Sequence, residues 1–420
     1  MDLIISTIRV FVIFFMVLSF VPAMIWMERK GSAYIQDRRG PNRASIFGIR
    51  LGGLIHGLAD AIKLLTKEEL AAKPVSKPLF YLAPCIALLT ALLTMAIIPF
   101  ADPINIFGYN ISFQIADLNA GLVYVFAISS LGVYATLIAG WASAGKYPLL
   151  GSLRAAAQMI SYELSMSLAI IALFILAGSL NLQDIVSDQG TLVWRWNIIR
   201  QPLAFIIFIT ALFAETYRLP FDMPEGESEI VAGYHTEYSS MRFASFFMAE
   251  YTHIIISSFI VAIVFLGGWH MPFVSPAFIL KNSNSIIHML FPISGSLLMI
   301  IGAALINFSI KKYNDLREYE SKIIGSVIML LGVAIIILWA WLNSRGYLIN
   351  IPSSTGVILL CATQVITLLV KAFCVSTLFI WVRWTLPRFR YDQLMKLGWK
   401  VLLPLGILNI IITSAIITFS

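Results

Sequence analysis

The chain has 420 residues, 59% of them hydrophobic and only 12% charged, with a formal net charge of +7. A water-facing globular surface needs roughly 25% charged residues, so a soluble fold is excluded and lipid must cover most of the molecule. The excess of basic residues fits cytoplasmic loops of a membrane protein rather than nucleic-acid contacts.

The apolar run that opens the chain, 3–26, is longer than a signal-peptide core and lacks an A-x-A cleavage pattern, which predicts a retained first helix. Further apolar runs predict spans at 79–100, 118–140, 156–178, 202–221, 244–267, 286–310, 323–342, 354–381 and 400–419. The expected fold is therefore an all-α polytopic membrane protein of about ten transmembrane helices, forming one integral membrane domain over 1–420. Trp26, Trp141, Trp269, Trp341 and Trp399 fall near span ends, as an interfacial aromatic belt requires. The loops 27–78, 141–155, 214–243, 311–322 and 382–399 hold 22 Lys and Arg, and the alternate loops hold 4. That bias predicts a cytoplasmic location for the first set, with both termini on the other side.

Between the first two spans, residues 46–66 place Leu51, Leu54, Ile55, Leu58, Ile62 and Leu65 at helical spacing, flanked by Arg50, Asp60, Lys63 and Lys67. This segment predicts an amphipathic interfacial helix, too polar to span. Cys85, Cys361 and Cys374 lie in apolar runs without metal-site spacing, so neither an iron–sulfur nor a zinc site is expected on this chain.

Four stretches concentrate charge. The first runs from Glu28-Arg29-Lys30 to Arg43 and is either a lipid-headgroup patch or a loop lining a mouth, with Gly40-Pro41-Asn42 as its turn. The second is Glu163 alone in an apolar span. A carboxylate there costs several kcal/mol unless neutral or paired, which makes it a candidate proton site. In the third, 214–243, six carboxylates accompany the single Arg218 between Glu215 and Glu237, interleaved with Pro220, Phe221, Ile230, Val231 and Tyr234. Carboxylates so close together repel, so some must hold protons near neutral pH. The fourth, from Trp381 to Lys400, reads as an ordinary basic interface, and Lys371 before it could snorkel from its span.

The segments ERKGSAYIQDRRGPNRA, GLADAIKLLTKE, AAAQMISYELSMSLAI, AETYRLPFDMPEGESEIVAGYHTEYSSMRFASFFMAEY, FLGGW and WVRWTLPRFRYDQLMKLGWKVLLP occur in this order. Together they closely resemble the H subunit of bacterial NADH-quinone oxidoreductase, equivalent to mitochondrial complex I subunit 1. The resemblance implies a subunit without flavin or iron–sulfur centres, which belong to partner subunits. It also implies quinone as substrate, a location in the bacterial inner membrane, and peripheral-arm and small membrane subunits as neighbours. It assigns Glu28, Arg29, Asp60, Arg218, Phe221, Glu225 and Glu227 to a quinone channel. Glu163, Glu215, Asp222, Glu229 and Glu237 fall to a proton relay, with Arg218 as internal counter-charge. On this reading 214–243 is a cytoplasmic quinone and coupling loop. The ten spans then divide into eight of the family core and a hairpin of two inserted at about 275–350.

Other functions fit less well. A membrane-hydrogenase subunit is the nearest rival, but PFDMPEGESEIVAGYHTEY suits the quinone-reactive branch better. A standalone antiporter would pair broken spans in repeated halves, and no repeat is visible. A haem protein would need several histidines within spans, where only His253 is well placed and His288 marginal.

Overall fold

The computed structural model describes residues 2–46, 50–71, 75–106, 109–224, 226, 231–312, 317–344 and 353–419. Their order is α1 (Asp2–Ile35), α2 (Ile55–Thr66), α3 (Lys77–Thr94), a two-stranded ribbon of β1 (Ile104–Ile106) and β2 (Tyr109–Ile111), α4 (Gly121–Ala142) and α5 (Lys146–Ala177). Then follow α6 (Leu182–Gln189), α7 (Asn197–Arg200), α8 (Pro202–Glu215), α9 (Ser240–Phe265), α10 (Pro276–Lys281), α11 (Ser283–Lys312) and α12 (Arg317–Ser344). The chain closes with α13 (Ser353–Thr385), α14 (Tyr391–Lys396) and α15 (Leu403–Phe419). Among the described residues nine helices are long and apolar enough to cross a membrane.

The tenth expected span, 202–221, is the short helix α8. Its 14 residues rise about 21 Å, less than the roughly 30 Å hydrocarbon layer. It ends at Glu215 because Tyr217 takes a positive φ of 51° and Pro220 follows. Residues 216–224 continue as irregular backbone, which an apolar layer tolerates only when protein packs around it.

α9 is the mast of the bundle. Ile254, Ile255, Ile256, Phe259, Ile260 and Ile263 cover its whole circumference, a composition that demands burial on all sides, and all are buried. Of its most apolar 18-residue stretch 78% is buried, against 11% for each of α11 and α12. Those two helices therefore form a peripheral hairpin. Gly295 abuts Gly332, and Gly302 abuts Gly325, letting the two backbones approach closely.

A helix end inside an apolar core leaves carbonyls that water cannot reach. At the end of α9, side chains meet them. Gln189 of α6 donates to Ile263 O at 2.9 Å, and Asn197 of α7 donates to Val264 O at 2.8 Å. Lys371 of α13 donates to Leu266, Gly268 and His270 carbonyls at 2.7, 2.9 and 2.7 Å, matching the three donors of an ammonium group. Lys371 thus caps a helix rather than snorkelling to the surface. Beside it, burial pushes the His270 imidazole below its ordinary value; Asp102 opposes this shift and Lys371 adds to it.

The predicted amphipathic segment 46–66 is helical over Ile55–Thr66, after a single turn at Leu51–Gly53; residues 47–49 lie outside the described set. Gly53 has φ +101°, and a Cβ there would collide with the Pro41 carbonyl, so this approach of two loops requires glycine. Leu58, Ile62 and Leu65 remain exposed along one face.

Replacing Lys371 with Met should take the ammonium donor from the Leu266, Gly268 and His270 carbonyls and cost about 2 kcal/mol. A lower thermal midpoint of the purified complex is the expected readout; an unchanged midpoint would remove Lys371 from the framework.

Candidate functional site

Arg218 sits three residues beyond α8 and is buried. Its Nη1 donates to Glu28 Oε2 of α1 at 3.1 Å. Its Nε lies 2.9 Å from Glu250 Oε1 of α9, at ion-pair distance though off the hydrogen-bond axis. The guanidinium also lies 4.4 Å from the centroid of the Tyr251 ring, in cation–π geometry. Tyr251 donates to Glu28 Oε2 at 2.8 Å, and Arg383 of α13 pairs with Glu28 Oε1. Two guanidinium groups and two carboxylates from four distant segments thus neutralise one another where water is scarce. Such clusters hold only when every member is partnered, since a lone buried charge costs several kcal/mol.

A second set of contacts fixes 214–222. Gln158 of α5, fully buried, donates to Ala214 O at 2.6 Å and Phe221 O at 2.7 Å. Phe221 packs between Tyr162 and Phe389, with ring centroids at 5.6 and 5.5 Å. Arg388 pairs with buried Asp222 at 2.7 Å, and Phe389 N donates to Pro220 O at 3.1 Å. The segment joining α13 to α14 therefore bolts the irregular stretch against α5.

Glu163 of α5 and Glu215 at the end of α8 lie close enough for their charges to interact. Both are half-buried, and Glu215 borders a cavity with Thr90, Thr136, Tyr217, Glu250 and His253. Arg29 pairs with Asp60, joining α1 to α2 outside the central cluster. Glu237 is half-buried ahead of α9. Glu225, Glu227 and Glu229 lie outside the described residues.

Sequence-predicted residues are thus gathered into separate groups: Glu28 with Arg218, Arg29 with Asp60, and Glu163 with Glu215. The expected counter-charge Arg218 meets Glu28 and Glu250 instead of the Glu163–Glu215 pair. Sequence reasoning assigned no role to Gln158, Tyr251, Arg383 or Arg388. The two arginines look like ordinary interfacial cations, and no local spacing links them to positions 28 and 222. Glu250, a carboxylate within an otherwise apolar helix, is the local signal, because a buried acid needs a partner.

The helix count, the all-round burial of α9 and the internal ion pairs define an all-α integral membrane protein with charged groups paired in its interior. A family model described as NADH dehydrogenase matches residues 8–414. The first of the NADH-quinone oxidoreductase H subunits of Solibacter usitatus is 41% identical, over 99% of this chain and 97% of its own length. The first H subunit of Geobacter metallireducens and the second of Geobacter sulfurreducens are 39% and 40% identical, over 99% and 100% of this chain and 98% of each relative. The chain belongs to the family of NADH-quinone oxidoreductase H subunits. Because these alignments run through nearly all of both chains, the region around 275–350, expected as an insertion, has a counterpart in these relatives.

Arg218→Leu should take the guanidinium away from Glu250 and remove one of the two guanidinium partners of Glu28, a loss of about 3–5 kcal/mol. Recovery of assembled complex should fall sharply. Wild-type recovery and thermal stability of that variant would show that the cluster does not hold the helices together.

Proposed function

We propose that this chain forms the membrane part of a quinone-access channel and links quinone reduction to proton translocation through buried carboxylates. The carrying observation is that Glu163 and Glu215 lie close enough for their charges to interact, with Glu215 at a cavity that Thr90, Thr136 and Glu250 also border. Two carboxyls at such a place are stable only if they share protons or are solvated by trapped water. That is the behaviour a relay needs. Asp222, Glu229 and Glu237 extend the proposed relay along the 214–243 loop. Glu28, Arg29, Asp60, Arg218, Phe221, Glu225 and Glu227 are assigned to the channel, where α1, α2 and the irregular stretch converge.

Coupling has a physical basis in the same arrangement. The 216–224 stretch touches the Glu28 cluster through Arg218 and continues directly from Glu215. A change of charge at a bound quinone headgroup would therefore act on both groups through one short piece of backbone. Quinone is the substrate; flavin and iron–sulfur centres reside in partner subunits, including the peripheral-arm subunits that complete the headgroup site. Small membrane subunits and lipid are the lateral neighbours. The loop bias of 22 to 4 basic residues supports a bacterial inner-membrane orientation with the 214–243 loop cytoplasmic and both termini opposite.

In the assembled complex, Glu163→Gln should lower quinone-linked proton pumping about tenfold or more, measured in reconstituted vesicles. Undiminished pumping would remove Glu163 from the relay. Deleting 283–345 should leave quinone reduction measurable, because α11 and α12 are peripheral; complete loss in an assembled deletion complex would make the hairpin part of the working core.

A further inference from the structure

α9 carries Glu250, His253 and Ser257 at spacings of three and four, so the three side chains lie along one face of a buried helix. Thr90 and Thr94 of α3, Ser129 and Thr136 of α4, and Glu215 of α8 face that stripe. These groups border two cavities stacked along α9. The one beside Glu250 and Thr136 leaves about 50 Å³ for water centres, and the one beside Ser129 and Ser257 about 20 Å³. A buried water needs roughly 10–15 Å³ of such space and two to four polar partners, so each cavity has room for at least one. Among the described residues, Glu215 and His253 are the two that border both cavities.

The His253 imidazole makes no hydrogen bond to protein among the described residues. A polar group in an apolar bundle costs about 1–3 kcal/mol when it is left unsatisfied. Water in the two cavities is the partner that the site offers it. Imidazole alone among side chains combines one donor nitrogen, one acceptor nitrogen and a charge change near neutral pH.

We propose that His253 passes protons between the two cavities, working with Glu215, which also borders both. The inference rests on the relay role proposed for Glu163 and Glu215. In the transfer, the acceptor nitrogen takes a proton from protonated water in the cavity beside Glu250: one O–H bond breaks and one N–H bond forms. The other nitrogen then gives its proton to the Glu215 carboxylate or to water in the cavity beside Ser257. The ring returns to neutrality as the opposite tautomer and resets by rotation or by exchange through water. Protons are conserved and no electron moves.

The test uses the complete complex in vesicles, with quinone reduction and proton movement followed together. His253→Gln keeps hydrogen bonding but cannot take up a proton, and pumping is expected to fall about tenfold or more. His253→Ala should fall likewise and recover with added imidazole, though not with pyrrole, which fills the same space without being basic. Wild-type pumping in the assembled Gln variant, absence of imidazole rescue, or equal rescue by pyrrole would overturn the proposal. Failure of both variants to assemble would also overturn it, by giving His253 a packing role. Glu215→Gln separates the two ideas. Pumping lost in that variant but kept in His253→Gln removes the histidine and leaves the carboxylate relay. Pumping kept in both removes the relay itself.

Discussion

Arg218 carries a charge that no protein environment removes, on irregular backbone that lipid cannot solvate. Its partners follow from that constraint. Glu28, Glu250 and Arg383 come from α1, α9 and α13, and Tyr251 offers its ring face to the guanidinium and its hydroxyl to Glu28. Moving one of these helices by a turn would leave a charge unpaired in a medium of low polarity, where the penalty exceeds the gain from most single contacts. The cluster therefore fixes the register of three helices with each other and with the 216–224 stretch.

The same rule operates at the other end of α9, where the groups to be satisfied are neutral carbonyls. Gln189, Asn197 and Lys371 fill the positions that water would occupy in a soluble protein. With one end held by carbonyl caps and the other near an ion cluster, α9 is a fixed reference against which α3, α4 and α8 place their polar side chains. The cavities beside it are bordered by Thr90, Thr136, Glu215 and Glu250 among apolar side chains, polar groups that trapped water can satisfy. A bundle held by apolar packing alone would close such gaps to recover its lost contacts.

Function in this fold is thus a question of where polar groups lie relative to a shared interior path. Quinone chemistry, on the proposed reading, perturbs charge near Glu28 and Arg218. The proposed proton path runs beside Glu215, His253 and Glu163. The 216–224 stretch belongs to both regions, since it begins at the end of α8 and holds Arg218. Its anchoring by Gln158 and Arg388 means that a displacement is transmitted to α5 and to the start of α14 rather than absorbed locally.

Membrane residence, nine of the ten helices and the peripheral hairpin were legible in the sequence, because hydropathy and helical period are properties of neighbouring residues. Glu163 stood out for the same reason, as a single acid in an apolar run. The sequence overextended α8 to 221 although that end is partly polar; Tyr217 and Pro220 end the helix. It could not pair Arg218 with Glu28 and Glu250, or Arg388 with Asp222, because those partners are 190, 32 and 166 positions away. Lys371 stood out inside its span, with snorkelling open to it; the structure shows it capping a helix end. Local patterns decided which segments enter the membrane. Only the three-dimensional packing decided which charges meet there, because the energy of a buried charge depends on neighbours brought together from across the whole chain.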